Sequence, residues 1–196
     1  MTPNPGAATP PPAGSADAVR GGAASASLAT ARGPIKAGRS RLILFAGLAV
    51  AVVVADQLSK VLIVANFDVG VTSNVFGDSA RIWLSHNTGA LFGLFRDQAP
   101  IFAAFSLAVI GLIVWYEAQA GDNLIVTLAL GLLLGGAVGN LTDRLRLGYV
   151  VDFVDLGIGT WRFYTFNVAD SAITGAVALL LLMAVLPGLA GPTQDA

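Results

Sequence analysis

Four long apolar stretches constrain this chain more than any other feature: Leu42 to about Val64, about Pro100 to Tyr116, Asn123 to about Leu141, and about Ala169 to Leu189. At about 1.5 Å of helical rise per residue, each is long enough to cross hydrocarbon about 30 Å thick. The expected fold is therefore an all-α membrane protein with four transmembrane helices. Composition agrees: 55% of the residues are hydrophobic and 12% charged, with a mean hydropathy of +0.74, against about a quarter charged in soluble domains. A chain of 196 residues then has room for one compact membrane domain.

Residues 1 to about 38, with PNPGAATPPPAG near the start, are rich in Ala, Gly, Pro and Ser and lack apolar periodicity. That composition cannot offset chain entropy by burial, so a disordered tail is expected. A cleaved signal peptide fits poorly, because the first apolar stretch begins only at Leu42 and is too long for an h-region. Residues 39–190 form the expected membrane domain and 191–196 a short tail. Arg32, Lys36, Arg39 and Arg41 precede the first helix with no acid among them, which places the N-terminus in the cytoplasm; four crossings return the C-terminus there. The connections 65–99 and 142–168 then face outward, although they carry Arg81, Arg96, Arg144, Arg146 and Arg162 while the inner hairpin at AQAGD has no arginine.

The first outer connection, VTSNVFGDSARIWLSHNTGALFGLF, mixes β-branched and aromatic residues with Gly, Asn and Asp breaks, the signature of short strands. A small extracytoplasmic β-containing region is expected beside the helices. Trp83, Trp115 and Tyr116 suit the membrane interface as anchors. Gly131, Gly135 and Gly139 recur every four residues, a smooth helix stripe that admits a close neighbour.

Several function classes drop out. A net charge of −1 offers no basic face for nucleic acid. The absence of cysteine excludes disulfides, thiolate metal sites and cysteine nucleophiles. His86 is the single histidine, no serine stands in a nucleophile-elbow pattern, and Ser59 and Lys60, adjacent on a helix, point in different directions.

The acids are the informative residues, since an ionisable group at membrane depth costs about 2.5 kcal/mol or more and needs a partner or a use. Asp56 and Lys60 stand four apart, acid first, as a structural ion pair would. Asn140 with Asp143, and Asn167 with Asp170, form two N-x-x-D units at helix mouths facing the same side. Taken alone, Asn167 and Asp170 read as a helix cap. Asp152, flanked in YVVDFVD by Val150, Val151, Phe153 and Val154, is expected in a cavity or polar pocket at the bilayer edge. Asp155 and Arg146 read as surface residues; a strand would send Asp155 to the face opposite Asp152. Two carboxylates held close divide their roles, one keeping a proton and one ionised, as attack of water on an amide requires.

The motifs DQLSK (Asp56 to Lys60), HNTGALFG (His86 to Gly93), GGAVGNLTDRLRLGYVVDFVD (Gly135 to Asp155) and FNVADSAI (Phe166 to Ile173) closely resemble those of the lipoprotein signal peptidases, or signal peptidase II. The resemblance runs from about Leu42 to Leu186, and Leu91 departs from it where alanine is usual. It implies an aspartic endopeptidase of the bacterial inner membrane, with an outward-facing site, that removes signal peptides from prolipoproteins whose cleavage-site cysteine already carries diacylglycerol. Asp152 and Asp170 match the catalytic pair. Asn87, Gly89, Asn140, Asp143, Arg144, Asn167 and Ala169 match positions that shape or line the site, and Asp56 and Lys60 a supporting motif. No cofactor and no metal are implied; the expected partners are the prolipoprotein and membrane lipid, for a monomeric enzyme. Rival readings are a small transporter or proton channel, a lipid transferase with magnesium on Asp143, Asp152, Asp155 and Asp170, and a purely structural membrane protein.

Overall fold

The apolar runs become four helices in the computed structural model, which describes Met1 and residues 38–89, 99–119 and 123–186. The expected N-terminal tail with Arg32 and Lys36, the positions Leu91 and Arg96, the tip of the AQAGD hairpin and the 191–196 tail lie outside the described residues. In chain order the elements are α1 (Arg39–Asn66), β1 (Thr72–Phe76), β2 (Ala80–Asn87), α2 (Ala99–Gln119), α3 (Leu124–Leu147), β3 (Val150–Ile158), β4 (Trp161–Arg162) and α4 (Val168–Val185). All four helices are long and apolar enough to span a membrane, with mean hydropathy of 2.0 or 2.1 over their most apolar stretch.

α3 is the central helix, packing against α1, α2 and α4. Its start is fixed by Asn123, whose side chain accepts the Ile125 and Val126 amides at 2.9 and 3.2 Å, satisfying donors that a helix leaves orphaned. Its end is fixed by Gly148 in the left-handed region at φ 80°, where a side chain would be strained. The helix runs well beyond Leu141, carrying Asp143 and Arg144 on its last turns, where both find partners. On α1 the buried positions Phe45, Ala49, Val52, Asp56 and Lys60 form one face, while Val50, Val54, Leu58 and Val61 are exposed toward what would be lipid.

The glycine stripe meets that buried face. A methyl group on Gly131 would lie 3.1 Å from Phe45 O, one on Gly135 2.6 Å from Val52 Cβ, and one on Gly139 2.7 Å from Asp56 Oδ2. Gly136, one position round, faces α4, where a methyl would meet Ile173 Cγ1 at 2.6 Å. Glycine thus lets α3 touch two helices at once. Phe45, Ile113, Val126 and Leu130 close an apolar core at the end of the bundle farther from the sheet.

Both long connections, 65–99 and 142–168, contribute strands, where short strands were expected only in the first. The β-branched run Val150, Val151, Val154 pairs antiparallel with β2 in a sheet of order β1-β2-β3-β4. A register shift between Ile82 and Ser85 sets Ser85 opposite Asp152 and Arg81 opposite Asp155. Trp83, Trp115 and Tyr116 are exposed.

Candidate active site

Two elements deliver the paired acids to one place. β3 carries Asp152, 3% exposed, and the first turn of α4 carries half-buried Asp170. α4 opens with a capping box: Asn167 Oδ1 accepts the Asp170 amide at 2.9 Å, and Asp170 Oδ2 accepts the Asn167 amide at 3.2 Å. The cap leaves Asn167 Nδ2 and Asp170 Oδ1 facing the site, so the same residues cap the helix and join the network.

That network links the two carboxylates through asparagines. Asn167 Nδ2 donates to Asp152 Oδ1 at 2.7 Å and to Asn140 Oδ1 at 3.1 Å, and Asn140 Nδ2 donates to Asp170 Oδ1 at 2.8 Å. Asn87 on β2, diagonally across from Asp152 on the same sheet face, donates to Asp152 Oδ2 at 3.0 Å and accepts the Gly89 amide at 3.2 Å. Burial, followed by the charge of Asp170, pushes the Asp152 carboxyl up to about 7, against the pull of the Asn87 and Asn167 amides and of Lys60.

Beneath the acids lies a second, buried layer. Lys60 Nζ is 2.8 Å from both Asp56 Oδ2 and Asp143 Oδ2 and donates to Asn140 Oδ1 at 3.2 Å. Asp56 Oδ1 accepts the amide of fully buried Ala169 at 3.0 Å, and Asp143 Oδ2 accepts the Val151 amide at 3.1 Å. Arg144 donates to Asn140 O at 3.4 Å and stands 5.6 Å over the Phe102 ring. Arg146 is exposed.

Asp155 corrects the expectation of a surface acid. It is 3% exposed and gripped by two arginines, Arg81 at 2.7 Å and Arg162 at 2.9 Å. Its strand face is the one opposite Asp152, as alternation requires. Burial alone would raise its carboxyl, but the hydrogen bonds and charges of Arg162 and Arg81 hold it below the usual range. With Asp155 held there and Asp143 bound to Lys60 and Gln57, the four aspartates of the magnesium reading do not converge.

Asn87, Gly89, Asn140, Arg144, Asp152 and Asp170 open onto one cavity of about 860 Å³. Its other walls come from α2 (Phe102, Phe105, Ser106, Val109), α4 (Ser171, Ile173, Thr174) and the segment Phe163 to Phe166. Asp143, Asn167, Ala169, Asp56 and Lys60 stand behind these walls. Sequence reasoning missed the α2 and α4 wall residues: those of α2 and Thr174 lie outside the motifs, while Ser171 and Ile173 stand inside FNVADSAI, which was the available signal. It also missed Gln57, which donates to Asp143 Oδ1 at 2.9 Å and Asp56 Oδ2 at 3.1 Å; its place inside DQLSK was the available signal.

Comparison with known proteins identifies the family. The family model described as signal peptidase (SPase) II matches residues 48–186. A lipoprotein signal peptidase of Moorella thermoacetica is 42% identical over 141 residues, covering 71% of this chain and 91% of the relative. Lipoprotein signal peptidases of Enterobacter sp. (strain 638) and Salmonella newport are 39% and 42% identical over 75% and 71% of this chain, covering 91% and 87% of their own lengths. Two solved structures, each described as a bacterial membrane enzyme structure by the in meso method, superpose with TM-scores of 0.71 and 0.67 at 30% and 32% identity. They cover 84% and 79% of this chain and 98% and 97% of their own. With the family model spanning most of the sequence and its four helices apolar enough to cross a bilayer, the chain belongs to the signal peptidase II family and is a membrane-embedded peptidase.

Proposed function

We propose that this peptidase removes signal peptides from diacylglyceryl-modified prolipoproteins, cutting before the lipidated cysteine with Asp152 and Asp170 as an aspartic dyad. The observation that carries the reading is the pair itself: two buried or half-buried carboxylates on the wall of one cavity, bridged through Asn167 and Asn140 by contacts of 2.7 to 3.1 Å. The names of the relatives support the substrate class.

Before reaction Asp152 holds a proton and Asp170 is ionised. Burial among apolar residues favours neutral Asp152, and the N-terminus of α4 favours charge on Asp170. A water between them gives a proton to Asp170 as its oxygen bonds to the scissile carbonyl carbon, while Asp152 gives its proton to the carbonyl oxygen. In collapse of the tetrahedral intermediate, Asp170 returns a proton to the departing cysteine nitrogen, the C–N bond breaks, and Asp152 recovers a proton from the new carboxyl group. Asn87 and Asn167 keep the Asp152 oxygens aimed, and Asn140 does so for Asp170.

The working unit is residues 39–190, acting as a monomer in the bacterial inner membrane with both termini cytoplasmic and the sheet on the outer face. Water then reaches the dyad from outside while the diacylglycerol stays among lipid. Arg39 and Arg41 at the start of α1 support this orientation. The test is cleavage of a diacylglyceryl-modified precursor by purified protein. Asp152→Asn and Asp170→Asn should each lower kcat by about 1,000-fold; either variant cleaving at the wild-type rate removes the dyad.

A further inference from the structure

Asp56 and Asp143 perform the same task at two places. Asp56 accepts the amide of Ala169, the residue before Asp170, and Asp143 accepts the amide of Val151, the residue before Asp152. Each carboxylate therefore fixes the backbone one step ahead of an active-site acid. The two anchors sit on different helices, α1 and α3, and one ammonium joins them: Lys60 Nζ lies 2.8 Å from an oxygen of each. Gln57 spans the same two carboxylates at 3.1 and 2.9 Å.

Neutralising Asp56 would need only the ion pair along α1. It does not account for a second acid drawn from α3 to the same ammonium, nor for the third bond from Lys60 to Asn140, which itself holds Asp170. Asp56, Lys60 and Asp143 are 0%, 4% and 3% exposed, and charges buried so fully demand satisfied partners in fixed geometry. We propose that Lys60 is a positioning residue that sets the separation of Asp152 and Asp170 by clamping together the two carboxylates that anchor the chain before each. The inference rests on the dyad reading above. The charged groups around the clamp are Asp56 on α1, Asp143 and Arg144 on α3, Asp152 on β3 and Asp170 on α4. Lys60 also favours the ionised form of Asp152 through its charge, so removing it has an electrostatic signature as well as a geometric one.

Lys60→Met keeps the length and apolar stem of the side chain and removes its three donors. A misplacement of about 1 Å at a reacting centre costs about 100-fold, so kcat for the lipidated precursor should fall about 100-fold with KM within about threefold. The limb of the pH–rate profile that reports Asp152 should move to higher pH. Asp143→Asn keeps an oxygen for the Val151 amide but loses the ion pair, so it should share the defect. The double variant should be no worse than Lys60→Met alone, since both changes release one clamp. An unchanged kcat and profile in Lys60→Met would overturn the proposal. So would losses that track only the fraction of protein still folded, followed as Tm in the same micelles, or strictly additive losses in the double variant. Where Lys60→Met does not fold, Asp143→Asn with wild-type kcat and pH profile is the overturning result. Asp152→Asn and Asp170→Asn are assayed alongside: if either cleaves at the wild-type rate, the dyad reading itself has failed, whereas if both lose about 1,000-fold in kcat and Lys60→Met is normal, only the clamp has.

Discussion

Asp152 is made a weaker acid first by burial, which raises the carboxyl to about 7, and then by the charge of Asp170. As the proton-bearing member of the proposed dyad it is competent below that value and loses its proton above it. The expected kcat/KM therefore falls as pH rises through about 7, a limb that belongs to the coupled pair. Asn87→Ala removes a hydrogen bond that favours the ionised form, so its alkaline limb should lie at higher pH than that of the wild type. A pH series on the lipidated precursor measures both; a wild-type limb centred below about pH 5 would mean that Asp152 is not the proton donor. Three residues along the strand, Asp155 shows what sequence could not reveal. Its neighbours Val154 and Leu156 are as apolar as those of Asp152, so the argument that buried one acid applied to both. Of its two partners Arg162 stands 7 residues away and Arg81 74, and strand register, invisible in sequence, brings Arg81 to it.

The helices were legible because a span length of apolar residues leaves few alternatives, and the spacing of Gly131, Gly135 and Gly139 announced a close contact without naming its partner. The structure supplies the partner as α1, and in doing so ties the stripe to chemistry: Gly139 meets Asp56, the anchor of the α4 mouth. What sequence hid at this scale was the polar extension of α3 and the pairing of β3, since both depend on partners far along the chain. Gly135→Ala should push α1 away from α3, because the added methyl would meet Val52 Cβ at 2.6 Å and Ala49 O at 2.8 Å. Overpacking of this kind costs about 1–3 kcal/mol, and activity should fall with it as Asp56 and Lys60 shift. Gly111→Ala, where nothing lies within 4 Å, should leave both Tm and cleavage as they are. Thermal melts and cleavage rates in detergent compare the pair; equal behaviour of the two variants would remove the glycine contact as a determinant of the site.

At the scale of the molecule, α2 and α4 both pack on α3 and the cavity lies between them, walled by Phe102, Phe105 and Val109 on one side and Ile173 and Thr174 on the other. Such a cleft suits the proposed substrate, which brings a lipid with it: in that reading the peptide reaches the acids while its acyl chains lie along the apolar walls. Ser106 tests this without touching the acids. Among the described residues its hydroxyl bonds within its own helix turn, to Phe102 O at 2.8 Å, so Ser106→Ala should cleave normally. Ser106→Phe places a ring in the passage and should lower kcat/KM for the diacylglyceryl-modified precursor by about tenfold or more, equivalent to about 1.4 kcal/mol of lost transition-state binding. An unmodified peptide, cut slowly by both proteins, should show a smaller ratio between them, because it leaves the lipid part of the cleft empty. If Ser106→Phe handled the lipidated precursor as the wild type does, the diacylglycerol would have to lie elsewhere, and the space between α2 and α4 would be a way for water alone.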